Sequence, residues 1–149
     1  MHRQLLLMNL KTELFVLCDH ASVSQEQKLS VIGIFDQFFV ANLPTTWPRM
    51  FLVAVLKGEP ASEYSLKLKL IPPEKGQPEF PAKELNLRLG QNGKANLLTE
   101  LVNFPLQHAG LYKFEISSDN QKVGELGFKV NKTTATYGGQ DLAGKKVSN

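Results

Sequence analysis

The stretch EYSLKLKL, residues 63–70, decides the fold most clearly. Apolar and polar side chains alternate here one by one, which is the two-residue period of a strand with one buried face. The apolar positions are Tyr64, Leu66, Leu68 and Leu70. The polar positions between them are Ser65, Lys67 and Lys69, which we expect to face water.

The same alternation recurs in residues 84–89, 111–116 and 126–130, and residues 95–104 follow it less regularly. Three earlier segments, 14–18, 29–35 and 51–56, are apolar on both faces and rich in residues that favour central strands. About eight short strands predict an all-β fold: a two-layer, mainly antiparallel sandwich, immunoglobulin-like or jelly-roll in shape. The expected core includes Tyr64, Leu66, Leu68, Tyr112, Phe114, Ile116, Phe128 and Val130.

Turn-forming residues separate these strands. Asn92-Gly93 is a strong signal for a tight hairpin, and Asp119-Asn120 is a weaker one. The prolines between Pro72 and Pro81 predict a long surface loop. The segment 24–28 is the single place where we expect a helical turn, capped by Ser24.

The length of 149 residues fits one domain that buries its own core. We expect a short N-terminal extension at 1–11, the sandwich domain at 12–131 and a mobile C-terminal tail at 132–149, where glycine and polar residues dominate.

Charge, cysteine content and hydropathy limit the partners and the compartment that we expect. A net charge of +3 is a mild excess and does not by itself identify nucleic acid as a partner. Cys18 is the single cysteine, so an intrachain disulfide is impossible and the reducing cytoplasm is the expected compartment. No window holds the roughly 18 apolar residues that a membrane-spanning helix needs, so no membrane span is expected.

Three segments carry a family resemblance. They are LCDHA at residues 17–21, followed by KLSVIGIFD at residues 28–36, and a later strand that ends in GLYKFEI at residues 110–116. Together they resemble a family of uncharacterised bacterial β-sandwich proteins, a domain of unknown function, over residues 12–131. The resemblance implies the sandwich fold and attaches no activity or site residues.

The segment 42–50 is the best candidate for a docking surface. Prolines stiffen it, and Trp47 and Phe51 flank Arg49; tryptophan and arginine are enriched at interaction hot spots. The nearby aromatic residues Phe35, Phe38 and Phe39 favour core packing, with a ligand pocket or an interface as alternatives. We therefore expect a non-enzymatic binding or protein-interaction module that uses Trp47, Arg49 and Phe51 to bind an unidentified protein.

A second hypothesis is weak binding to nucleic acid or lipid through a basic face. Its residues are Lys67, Lys69 and Arg88, with Lys145 and Lys146 in the tail. Aromatic side chains on the same face would favour nucleic acid, but the aromatic positions of these strands point inward. A solvated face is the more typical meaning of such lysines.

A third hypothesis is an enzyme that uses Cys18 and His20, which lie two residues apart on one strand. A buried structural cysteine is the more common case. His20, Asp36 and His108 lack the spacing of a metal site, and the nucleotide-binding and serine-hydrolase motifs are missing from the sequence. We therefore expect no enzymatic activity, no metal and no cofactor.

Overall fold

A computed structural model describes residues 10–74, 77 and 80–134 of the chain. In these residues it contains no helix and nine strands. They are β1 (Lys11–Val23), β2 (Leu29–Phe35), β3 (Gln37–Val40), β4 (Thr45–Lys57), β5 (Glu63–Ile71), β6 (Lys83–Arg88), β7 (Lys94–Leu106), β8 (Gly110–Ser118) and β9 (Gln121–Lys132).

The strands form two sheets. The first sheet has the order β2-β1-β4-β7, and all of its neighbours are antiparallel. The second sheet has the order β3-β9-β8-β5-β6, in which β3 runs parallel to β9 and the other pairs are antiparallel. The predicted all-β, mainly antiparallel sandwich is therefore confirmed.

The strand that the sequence analysis missed is β3. Phe35 ends β2 in the first sheet, Asp36 follows, and Gln37 begins β3 in the second sheet, so the chain changes sheets at one residue. The carbonyl oxygen of Asp36 accepts a hydrogen bond from the amide of Lys129 at 2.9 Å, which anchors the crossing. With only four residues, β3 is too short for alternation to distinguish it from the run before it.

The core lies between the sheets. Leu17 and Leu52 of the first sheet belong to the same buried cluster as Tyr112, Phe128 and other residues of the second. The Tyr112 and Phe128 rings stack at 5.1 Å. Of the predicted core, seven residues are buried and Leu68 packs against the core while partly exposed; the seven are Tyr64, Leu66, Tyr112, Phe114, Ile116, Phe128 and Val130.

The turns follow the predicted chemistry in two of three places. Asp119 and Asn120 both have positive φ, 48° and 67°, as the tight β8–β9 hairpin requires. Gly93 has φ of 76° in the turn between β6 and β7. The helical turn predicted at 24–28 was wrong: this segment is the turn of the β1–β2 hairpin, in which the Ser24 hydroxyl accepts a hydrogen bond from the Lys28 amide.

The predicted N-terminal extension and C-terminal tail lie mostly outside the described residues. At the boundary, β1 begins at Lys11 and β9 ends at Lys132, after which the Thr133 amide donates to the Val40 carbonyl oxygen at 2.8 Å. The described segments contain no helix that is long and apolar enough to cross a membrane.

Candidate protein-interaction site

The outer face of the first sheet, which points away from the second sheet, is mainly apolar. Leu17 and Leu52 are directly paired and face the core, so their neighbours Cys18, Phe51 and Val53 point outward. These three residues are buried in a separate cluster, against which other apolar residues pack: Leu14, Val16, Leu29, Val31 and Leu98. The outer face of the first sheet therefore has a buried apolar cluster of its own.

Ile34 and Glu100 complete one row across this face. Ile34 pairs with Cys18, Cys18 pairs with Phe51, and Phe51 pairs with Glu100. Directly paired residues point to the same side of a sheet. Ile34 keeps 60% of its surface exposed, whereas Phe51 keeps only 9%.

Arg49 is fixed beside this row by two contacts. Its Nε donates a hydrogen bond to Oε2 of Glu100, and its Cζ lies 5.3 Å from the centre of the Phe51 ring. The Arg49 side chain nevertheless keeps 56% of its surface exposed. Val102 is its direct partner on β7 and is 60% exposed. We call Ile34, Arg49, Phe51 and Val102 the docking face.

Trp47 lies on the other side of the sheet. Its ring packs edge-to-face on Phe38 at 4.9 Å and is half-buried against the inter-sheet core. Asn103, which lies opposite Pro48 in the register, has φ of 52°, and this left-handed residue interrupts the alternation. On one side of this position Phe104 and Trp47 turn inward, and on the other side Val102 and Arg49 turn outward.

The three residues of the predicted site, Trp47, Arg49 and Phe51, therefore lie on two different faces of the first sheet. Arg49 and Phe51 lie together on the docking face, whereas Trp47 does not reach it. The expected loop at 42–50 is mostly strand, because β4 begins at Thr45. Sequence reasoning missed Ile34, Glu100 and Val102, because strand register alone brings them beside Arg49.

The aromatic concentration is divided in the same way. Phe35, Phe38 and Trp47 contact one another in the core, with Phe38 also edge-to-face on Phe128 at 5.6 Å. Phe39 instead points outward from β3 and is 63% exposed. Core packing is thus confirmed for three of the four residues.

The Cys18 thiol is buried and weakly acidic. Burial raises the pKa of the Cys18 thiol, and the nearby Asp19 carboxylate adds to the effect. Sγ donates a hydrogen bond to the backbone carbonyl oxygen of His20 at 3.5 Å. The His20 imidazole packs edge-to-face on Phe51, with 5.1 Å between the ring centres, and is not hydrogen-bonded to the Cys18 thiol.

Possible metal ligands do not gather in the described part of the chain. It holds no group of three or more histidine, cysteine, aspartate or glutamate side chains with the geometry to bind a metal ion. Asp36 is exposed at the sheet crossing and lines an open cleft of about 240 Å³ with Val16, Ile34, Phe35 and Leu126.

The outer face of the second sheet is charged and internally balanced. In the strand register Lys67 lies opposite Glu84, Lys69 opposite Glu115, and Arg88 opposite Glu63. The last pair forms an ion pair at 3.1 Å. Each basic residue of the predicted patch therefore has an acidic neighbour; Lys145 and Lys146 lie outside the described residues.

The outer face of the second sheet also carries a small charge network on β8 and β9. Lys122 lies 2.6 Å from Glu125 and 4.0 Å from Glu115, and Lys113 lies 3.6 Å from Glu125. The Lys122 ammonium lowers the pKa of the Glu125 carboxyl, and Glu125 raises the pKa of Lys122 in return. Such exposed networks favour solubility and give no net positive patch.

Solved structures with a similar fold are distant in sequence. A β-glucosidase from Listeria innocua matches with a TM-score of 0.48 and 9% identity, covering 85% of this chain and 16% of its own. The alkylpurine DNA glycosylase AlkC from Pseudomonas fluorescens matches with a TM-score of 0.47 and 13% identity, covering 83% and 30%. This chain thus corresponds to less than a third of either protein.

An immunoglobulin-like protein from Pseudomonas aeruginosa matches over nearly its full length, with a TM-score of 0.45, 14% identity and coverage of 82% of this chain and 96% of its own. These likenesses concern the fold and transfer no ligand or activity. No curated protein matches the chain. Residues 13–131 match the model of DUF6941, a family of unknown function, and the chain therefore belongs to that family.

Proposed function

We propose that the chain is a non-enzymatic protein-interaction module whose partner binds the docking face around Arg49. The observation that carries this proposal is the fixed position of an exposed arginine, held by Glu100 on one side and by the Phe51 ring on the other. A side chain that is already ordered loses less conformational entropy when it binds, which makes it a good anchor.

The surroundings of Arg49 support the same proposal. Val102 and Ile34 are each 60% exposed on this face, so apolar surface borders the charged group. Arginine beside apolar side chains is the composition that protein interfaces favour. The second sheet also exposes Phe39 and Leu111 on its outer face, but its charges balance across the strands, with Arg88 opposite Glu63.

The chemistry of the chain supports a binding role over catalysis. A thiol whose pKa is raised by burial is a poor nucleophile at neutral pH. We place the protein in the reducing cytoplasm, because its single cysteine is free and buried and does not need oxidising conditions.

The test is partner capture from nuclease-treated host lysate with three forms of the full chain: wild type, Arg49→Ala and Arg88→Ala. Arg88 is the matched control, since it is also an exposed arginine on an outer sheet face paired with a glutamate. We expect a protein that wild type and Arg88→Ala retain and that Arg49→Ala loses.

Equal retention by both variants would rule out the docking face. If a partner is captured only from a parallel lysate without nuclease, or if its binding falls steeply with salt, the basic-face hypothesis replaces the proposal, because counterion release makes nucleic-acid binding strongly salt-dependent.

A further inference from the structure

The edge strand β2 lacks the usual protection of an exposed sheet edge. It has seven residues, LSVIGIF, and none of them is charged or a proline. Ile32 and Ile34 are each 60% exposed along it. An apolar edge with unpaired backbone groups is a template for another strand.

The other three edges are protected. β6 carries Lys83, Glu84 and Arg88 within six residues. β7 carries charged residues and a proline, and β3 has only four residues. Charges, prolines and short length are the common devices against edge pairing, and β2 has none of them.

Opposite charges stand at the two ends of β2. Lys28 directly precedes the strand and Asp36 directly follows it, and both side chains are exposed. Lys28 also forms an ion pair with Glu26 at 3.3 Å, but this pair is exposed to solvent, with side-chain exposures of 78% and 77%. Lys28 is thus available to a second acidic group.

The spacing of these charges fits self-pairing. Lys28 and Asp36 lie four residues to either side of Ile32. If β2 pairs antiparallel with its own copy about Ile32, Lys28 of each chain lies opposite Asp36 of the other. The two Ile32 side chains then meet at the two-fold axis, and Gly33, which has no side chain, faces Val31 of the second copy. Gly33 has φ of 72°, yet the register of β1 with β2 is the same on both sides of it, so the pairing of β2 runs through this residue without a shift.

We propose that the chain forms a two-fold dimer through antiparallel pairing of β2 with β2 of a second copy, closed by two Lys28–Asp36 ion pairs. The two four-stranded sheets then join into one sheet of eight strands. Because directly paired residues share a face, both docking faces lie on the same side of the joined sheet. A partner with two binding sites gains avidity there.

The test is sedimentation equilibrium of the full chain from low micromolar to near millimolar concentration. We expect a reversible monomer–dimer equilibrium for the wild type. Ile32→Lys places two lysines together at the two-fold axis, so the dissociation constant rises at least ~10-fold. Val102→Lys is the matched control, equally exposed but on the opposite edge strand β7, and leaves the dimer unchanged.

A charge exchange tests the register. Asp36→Lys alone places like charges opposite each other and weakens the dimer about threefold or more. Adding Lys28→Glu to it restores opposite charges and returns the constant to within about twofold of wild type. Melting curves of each variant confirm that these exposed substitutions leave the fold intact.

A wild type that stays monomeric throughout the range overturns the proposal, and so does a dimer that survives Ile32→Lys or dissociates in Val102→Lys. These outcomes are independent of Arg49, so they leave the proposed function standing or falling on its own test.

Discussion

Single residues show how burial, more than residue type, decides chemistry in this protein. Cys18 and His20 lie two residues apart, yet they do not form a thiol–imidazole pair. The thiol donates a hydrogen bond to the backbone carbonyl oxygen of His20, and the imidazole packs on Phe51. Cys18 is thus part of the buried packing of the first sheet, whereas His20 is exposed and rests against Phe51. Arg49 shows the opposite case, because it stays exposed while two neighbours hold it in place.

A prediction follows for Cys18. Because burial raises its pKa, the thiol stays protonated at neutral pH and at pH values where an ordinary cysteine already ionises. We expect iodoacetamide to alkylate the folded chain at least ~10-fold more slowly than the urea-unfolded chain at pH 7.5, as measured by mass spectrometry. Equal rates in the two states would show a reactive thiol and would revive the enzyme hypothesis.

The two sheets approach each other closely where β1 of the first sheet crosses β9 of the second. The Thr12 hydroxyl donates to the Val123 carbonyl oxygen at 3.3 Å. A Cβ at Gly124 would lie 2.5 Å from Thr12 Cγ2, which is too close for any real contact. Gly124 is thus the residue that lets this side of the sandwich close.

The consequence is testable by substitution. We expect Gly124→Ala to lower the free energy of unfolding by about 1–3 kcal/mol through overpacking. In a Thr12→Ala background the same substitution costs clearly less, since the clashing atoms are gone. Gly127→Ala on the same strand is the control, because its Cβ would meet the nearest atom at an ordinary 3.8 Å. Denaturant melts that show equal losses at both glycines would contradict this account.

The strands also show what alternation can and cannot predict. β5 and β8 follow a strict two-residue period, and their inward residues are the predicted ones. The period fails near Asn103, which has a left-handed backbone: Trp47 packs on the core, although Arg49, two residues further along β4, faces outward. Asparagine tolerates this conformation in many contexts, so its presence alone does not reveal the reversal.

The candidate site was harder to predict than the fold for the same reason. Arg49 and Phe51 were predicted because their residue types are typical of interfaces. Glu100 and Val102 lie some fifty residues further along the chain, and only the β4–β7 register brings them beside Arg49. The pairing register of β4 with β7 cannot be deduced from a single sequence.

The whole molecule has two outer faces of different character. One is mainly apolar and carries an arginine held by two neighbours, and the other carries charges that balance across the strands beside the exposed Phe39 and Leu111. A protein that only needed to stay soluble would have charges on both faces. This difference supports assigning the proposed interaction to the first sheet.

The most direct test of that assignment is photo-crosslinking in host cells, with p-benzoylphenylalanine placed at position 102 or at position 111. Val102 and Leu111 are similarly exposed, at 60% and 64%, but lie on the outer faces of opposite sheets. We expect a discrete cross-linked protein from position 102 and none from position 111. Cross-linking from position 111 alone, or equally from both positions, would contradict it.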